Sequence, residues 1–559
     1  MTAKNEYEAE GRIFNFRPVL FTAIFLLFGI WFAYACIFDG VSLWWAFAVL
    51  PAMLLLLFIC CIKWSLCRLL FTTLLLAVSF FVGVGALYFQ VVDYRQAGAY
   101  QGDGMVLARV VNMEEADGYV RLTLDKATIN GTEVDGRLIA YLPASFCGKV
   151  CYADEVSLHG ELRGVTYEDN VYLIDDDVRW SMEAETCHVT GRSFNVFLRL
   201  RGHIRTRVYA GMDETSAVVT MAVLTGDTSG MDDGLLDNMR RGGIAHIFAV
   251  SGLHVGALYA FCTWIVSKNA MRKLPKWSKL LFTGGILLFY GGICGFSASV
   301  VRAIVMCITL YASTLFGLGG DNLERVGMAA IAALLISPIS LFSVGFQLSF
   351  AACLGIVFLA RRIANLIRRF CLVVYSFFVE TRELETATQS NKKLEINAPM
   401  YEDTLPPTVL QRVWRAVYSF LGVTFSAQLA TAPVCLIAFG YLSGWSLLLN
   451  CLFVPLISAC FSALLAFVAA ACILPVTASQ AVLYLPKTVW SAVLLLFETA
   501  DFSSFCIENV ALPVGAFIAY YAMLLFATDK WNVPTWWKRG LSVVFFVLFV
   551  VGTVVANIG

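Results

Sequence analysis

Between Leu224 and Gly256 a series of hydrogen-bonding and ionisable residues leads into an apolar stretch and continues inside it. The series holds Gly226-Asp227, then Gly243-Ile244-Ala245-His246, then Ser251-Gly252-Leu253-His254. Residues three apart share one helix face, so Ser251 and His254 can form a nucleophile and base pair, with Asp227 as the carboxylate that orients the imidazole. The same groups also suit a hydrated path, because an ionisable side chain at membrane depth is costly and faces a cavity or bundle interior. Ser251-Gly252 further marks a helix break, tolerated in hydrocarbon only where protein or water meets the freed backbone. Polar positions recur in later apolar runs: Arg302, with no acidic neighbour in sequence, Gln347, Gln428, and Asn450 ahead of Pro455. Singly, such a residue is ordinary glue between helices. Recurring in at least four runs, they favour a solvated pathway.

The elements that must position these residues follow from composition. Of 559 residues, 59% are hydrophobic and 14% are charged, whereas soluble domains carry about 45–50% and about 25%. A soluble enzyme, a disordered scaffold and a secreted disulfide mini-protein are excluded. A polytopic α-helical membrane protein is expected. Forty basic residues balance forty acidic ones, so net charge names no partner.

A bilayer core takes about 20 apolar residues per helix. About 13 transmembrane segments are expected, some broken or re-entrant: three in 1–92, near 18–38, 41–62 and 67–91, and ten in 244–559. The run 442–473, with Pro455 in its middle, is read as a broken or re-entrant helix. Basic residues set the orientation. Lys4, Arg12 and Arg17 precede the first run, and Lys63 and Arg68 join the second and third. The N-terminus is therefore expected in the cytoplasm, as is a basic loop at about 361–416, and residues 93–192 are expected outside. Glu6, Glu8 and Glu10 ahead of the first apolar run argue for a retained span rather than a cleaved signal.

Residues 93–192 read as a small β domain. Met105–Val111, Tyr119–Leu124 and Val156–Leu162 have strand-like patterning, and Asn130-Gly131 signals a hairpin. Barrel and sandwich both remain open. The segment has about twice as many acidic as basic residues, so any nucleic-acid contact there must use a local face. Cys147 and Cys151 are candidates for a disulfide outside the cytoplasm. Residues 193–243 carry a basic amphipathic stretch, 194–209, that suits the headgroup boundary.

The motifs Gly226-Asp227, Gly243-Ile244-Ala245-His246, Ser251-Gly252-Leu253-His254-Val255, Ser299-Val300-Val301-Arg302-Ala303, Gly345-Phe346-Gln347-Leu348-Ser349-Phe350 and the block Gln428, Pro433, Asn450, Pro455 resemble the ComEC/Rec2 family. The resemblance implies a channel for single-stranded DNA in the bacterial cytoplasmic membrane during natural transformation, with an OB-like external domain. It places Asp227, His246, Ser251, His254, Arg302, Gln347, Gln428 and Asn450 along the DNA pathway. Implied partners are membrane lipids, a DNA receptor and a cytoplasmic helicase or translocase, with strand degradation by a separate nuclease. Longer members carry a metallo-β-lactamase-like domain. Here the chain ends at Gly559 after an apolar run, and its five histidines lack the spacing of that metal cluster. With no Walker A sequence either, no enzyme, metal or cofactor is expected. Two alternatives stay open: a transporter of another anionic polymer or small substrate, and a membrane-embedded hydrolase using Ser251 and His254.

Overall fold

The structure is a computed structural model that describes residues 17–39, 41–42, 51, 66–97, 102–116, 118–146, 149–165, 171–228, 230–248, 251–317, 322–387, 409–499, 502, 505–508, 510–528 and 535–558. Its residues divide into two compact units. One comprises 14–350 and 442–507; the other includes 351–441 and 508–559.

In the larger unit, α1 (Pro18–Phe38) packs against α2 (Leu66–Ala97) along a seam of Leu26, Ile30, Phe80 and Leu87. Two glycines set the spacing. A Cβ on Gly29 would strike the Phe80 carbonyl, and one on Gly83 would lie 2.5 Å from the Leu26 carbonyl oxygen. Close backbone approach through small residues replaces the hydrophobic drive that lipid does not supply.

The polar segment folds into five long strands: β1 (Gly102–Ala116), β2 (Tyr119–Ile129), β3 (Arg137–Pro143), β4 (Asp154–Gly164) and β5 (Val178–Arg192). Each pairs with two others in the order β1, β2, β3, β5, β4 and back to β1, all antiparallel except β3 with β5. Val156, Leu158 and Leu162 alternate inward with Glu155, His159 and Glu161 outward. Val106, Leu122, Leu138 and Met182 close the core. Asn130 and Gly131 take φ of +49° and +86° at the expected turn. Cys151 is exposed and forms no disulfide among the described residues; its expected partner Cys147 lies outside them.

Helices follow: α3 (Val171–Asp175, between β4 and β5), α4 (Val196–Gly211), α5 (Glu214–Thr225), α6 (Asp233–Arg241), α7 (Gly252–Val266), α8 (Lys276–Ile293), α9 (Ala298–Phe316), α10 (Asn322–Ile336) and the start of α11 (Val344–Ala387). The larger unit is completed by α13 (Ser446–Ile473) and α14 (Val476–Thr499). The other unit holds most of α11, α12 (Val409–Phe439), α15 (Val514–Phe526) and α16 (Thr535–Ile558).

Among the described residues, eight helices are long and apolar enough to cross a membrane. The expected span at 41–62 falls almost wholly outside the described residues. Two expectations are corrected. Residues 446–473 form one continuous helix through Pro455, because a proline removes a single rung that an apolar membrane helix can forgo. Arg361, Arg362, Arg368 and Arg369 lie on the 44-residue α11 rather than in a loop, since arginine is itself a good helix former.

Gly29→Leu is expected to force α1 and α2 apart, at about 1–3 kcal/mol for overpacking, lowering the melting temperature in detergent. Gly85→Leu is the control, because its Cβ meets nothing within 4 Å; it should melt close to wild type.

Candidate functional site

The Gly226-Asp227 element is a helix stop that aims a carboxylate. Gly226 ends α5 with φ +77°, its N–H donating to the Ala222 carbonyl, a left-handed cap that glycine adopts at little cost. Asp227, only 2% exposed, then accepts a hydrogen bond from the Tyr152 hydroxyl of the β domain. Arg205 of α4 lies 3.9 Å from the same carboxylate. The Arg201 and Arg205 guanidiniums sit 4.6 and 5.9 Å from the Tyr152 ring centroid, and Arg201 donates to the Asn112 side chain at 3.0 Å. Burial and the Asp227 carboxylate hold the Tyr152 phenol well above its ordinary range, against an opposing pull from Arg201. Tyr152 therefore remains a donor at neutral pH. Two of the four arginines of α4, Arg201 and Arg205, thus face the β domain.

A second joint is built on Arg302. No acidic residue neighbours it in sequence, but the fold brings Asp175, at the end of α3, to 3.6 Å; the two side chains are 7% and 6% exposed. Asp175 also accepts hydrogen bonds from Ser337, at 3.2 Å, and from Ser340. On the other side of Arg302, a Cβ at Gly345 would lie 2.7 Å from a guanidinium nitrogen, so the first residue of the Gly-Phe-Gln motif leaves room for arginine. Arg137 of β3 donates to the Gly295 carbonyl at 3.2 Å, tying the domain to the turn before α9. Desolvation raises the carboxyl pKa of neighbouring Asp176; Arg137 opposes the rise and Asp175 adds to it.

Ser251 and His254 start α7. Ser251 is the N-cap, its Oγ accepting from the Leu253 N–H at 3.3 Å. The Ser251 N–H donates to His254 Nδ1 at 3.1 Å, and Ser251 Oγ lies 3.4 Å from that nitrogen. The imidazole is fully buried against Phe461, 4.8 Å between centroids, and its Nε2 has no hydrogen-bond partner among the described residues. A hydrolytic triad needs the second nitrogen to meet a carboxylate. Asp227 instead serves Tyr152 and Arg205, and Ser251 with His254 makes a reciprocal helix cap.

Asn450 on α13 is 6% exposed, and its Oδ1 has no hydrogen-bond partner among the described residues. One turn earlier, Gly243 packs on Ser446 so tightly that a Cβ would strike that side chain. His246 is exposed on a short helical turn, Ala245–Phe248. Gln347 is exposed and donates to the Leu341 carbonyl at 3.3 Å. Gln428, half-buried on α12, belongs to the other unit. Tyr152, Asp175 and Arg137 carry little sequence signal beyond charge or aromaticity near the ends of β-strands, whereas Arg201 lies in the basic stretch 194–209.

The model of a family described as Competence protein matches residues 223–534, more than half of the chain. The chain belongs to that family. ComE operon protein 3 of Bacillus subtilis (strain 168) is 28% identical over 194 residues, covering 34% of this chain and 25% of that protein. The uncharacterized protein YcaI of Escherichia coli (strain K12) is 22% identical over 331 residues, 57% of this chain and 37% of that one. The aligned parts thus span well under two thirds of either relative. No solved structure matches.

Removing the Asp227 carboxylate strands a buried phenol and a guanidinium. Asp227→Ala is expected to destabilise the joint by about 1–3 kcal/mol, and Tyr152→Phe by about 1 kcal/mol. Faster limited proteolysis at Ser193–Asn195, between β5 and α4, is the readout for both. In the same assay Gly345→Val, which collides with Arg302, should loosen the other joint.

Proposed function

We propose that the protein conducts single-stranded DNA across the bacterial cytoplasmic membrane during natural transformation. The observation that carries this reading is the competence-family match, whose 223–534 span includes all eight candidate pathway residues. The N-terminus lies in the cytoplasm and the β domain outside, and further crossings beyond the eight long helices complete a set of about 13. The β domain is an OB-like barrel. This reading is supported by strand pairings that return to their first member and by a single parallel pair, β3 with β5.

Hydrocarbon refuses a phosphate charge, so the strand needs a hydrated route whose contacts are weak enough to release it. Donors and acceptors buried among helices without partners among the described residues suit such a route: His254 Nε2, Asn450 Oδ1 and Trp445 Nε1. In this account Asp227 and Arg302 hold the β domain over the helices instead of touching the strand along its length. A DNA receptor delivers the strand and a cytoplasmic translocase draws it in; a separate nuclease removes its complement. The protein itself is no hydrolase, a reading favoured by the capping geometry of Ser251 and His254. A carrier of another anionic polymer is the remaining competitor.

At equal protein levels, His254→Ala and Asn450→Ala are expected to cut transformation by about tenfold or more, equivalent to about 1.4 kcal/mol on the rate-limiting step. Labelled DNA should reach the cytoplasm in wild type and not in a deletion strain. Full transformation by both variants, or uptake in the deletion strain, sinks the proposal. A serine-reactive probe should leave Ser251 unlabelled.

A further inference from the structure

Beside the Arg302 joint lies a recess of about 190 Å³, lined by Arg137, Asp175, Asp176, Phe296 and Arg302 among others. It takes up the space between the β domain and the start of α9. Arg302 is 6% exposed, and among the described residues its Nε has no hydrogen-bond partner although its Nη1 faces Asp175. The Asp176 side chain stands at the rim and accepts no hydrogen bond from any described residue. Phe296 is 42% exposed at the wall, and its φ of +49° is a left-handed conformation rare for an aromatic residue.

The wall chemistry restricts the guest. A phosphate offers only acceptors and would meet the carboxylates of Asp175, Asp176 and Asp177. A bare metal ion would meet two guanidiniums, and no metal-binding group of His, Cys, Asp and Glu occurs among the described residues. A planar neutral ring with acceptors beside donors satisfies both signs at once: a guanidinium N–H donates to a base oxygen or nitrogen, and a carboxylate accepts from an amino group. Size agrees. A cavity of about 150 Å³ holds a benzene-sized ring, so this recess admits one heterocycle and not a folded strand.

We propose that the recess receives one unstacked nucleobase of the strand, stacked on Phe296 and hydrogen-bonded along its edge by Arg302 Nε and the Asp176 carboxylate. The inference rests on the DNA-conducting reading and adds to it a base-reading station at the junction of the β domain with the helices. The sugar-phosphate chain stays at the mouth, where Arg137 lies and the acidic wall discourages deeper entry. Arg302 thus holds the joint through one edge of its guanidinium and the base through another.

The test uses the full chain in lipid nanodiscs with two probes, a short single-stranded oligonucleotide and an abasic strand of equal length and charge. Wild type should bind the base-bearing strand about tenfold more tightly, the scale of one stacked base. Phe296→Ala should bring that ratio close to one without changing affinity for the abasic strand, and Phe296→Tyr should keep it. Asp176→Ala, a rim change that spares the packing, should reduce it severalfold and covers the case in which Phe296→Ala does not fold. A wild-type ratio near one, or a ratio untouched in folded Phe296→Ala and in Asp176→Ala, overturns the base recess while leaving DNA conduction standing. Failure of wild type to bind either strand overturns both.

Discussion

A charge removed from water must find its complement inside the protein or not be charged at all. Two such charges organise the larger unit. Arg302 at the start of α9 meets Asp175 of the β domain, and Asp227 at the end of α5 meets Tyr152 of the same domain with Arg205 alongside. Neither pair needs to add much net stability, because desolvation offsets most of the Coulombic gain. Together the two pairs tie the β domain to the helices at two separate points. The surrounding small residues follow from the same demand. Gly345 makes room for the Arg302 guanidinium, and Gly226 turns the chain so that its successor faces Tyr152.

This arrangement divides labour among the polar residues of the apolar runs. Asp227 and Arg302 are spent on joints, each engaged by groups from the β domain. His254 and Asn450 remain among the helices, each with one polar atom unanswered by any described residue. Ser251 caps the start of α7, its N–H answered by the His254 imidazole. A membrane-embedded path needs both kinds of residue: some to fix its walls and some to keep the walls wettable.

Local patterns were legible wherever one residue's neighbours in sequence are also its neighbours in space. The alternation over Val156–Leu162 marks β4, Asn130-Gly131 marks the hairpin turn after β2, and Ser251-Gly252 marks the start of α7. The strand β3 was harder, because Leu138, Ile139 and Ala140 are all buried and show no alternation. Pro455 and the arginines of α11 misled for the opposite reason. Residues that often end helices or mark loops were overruled by the length of the surrounding helical run.

Composition and spacing by themselves determined that the chain lives in a membrane, that a polar segment, read as 93–192, is rich in β-strands, and that a few polar motifs lie in apolar surroundings. These are properties of short stretches, decided by transfer from water to hydrocarbon and by period-two or helical repeats. Only the tertiary structure decided which motif meets which: Arg302 with an aspartate 127 positions earlier, Asp227 with a tyrosine 75 positions earlier, and a recess where the first pair lies. Such pairings depend on loop closure between distant segments, and a charge carries no mark in sequence of the partner that will neutralise it.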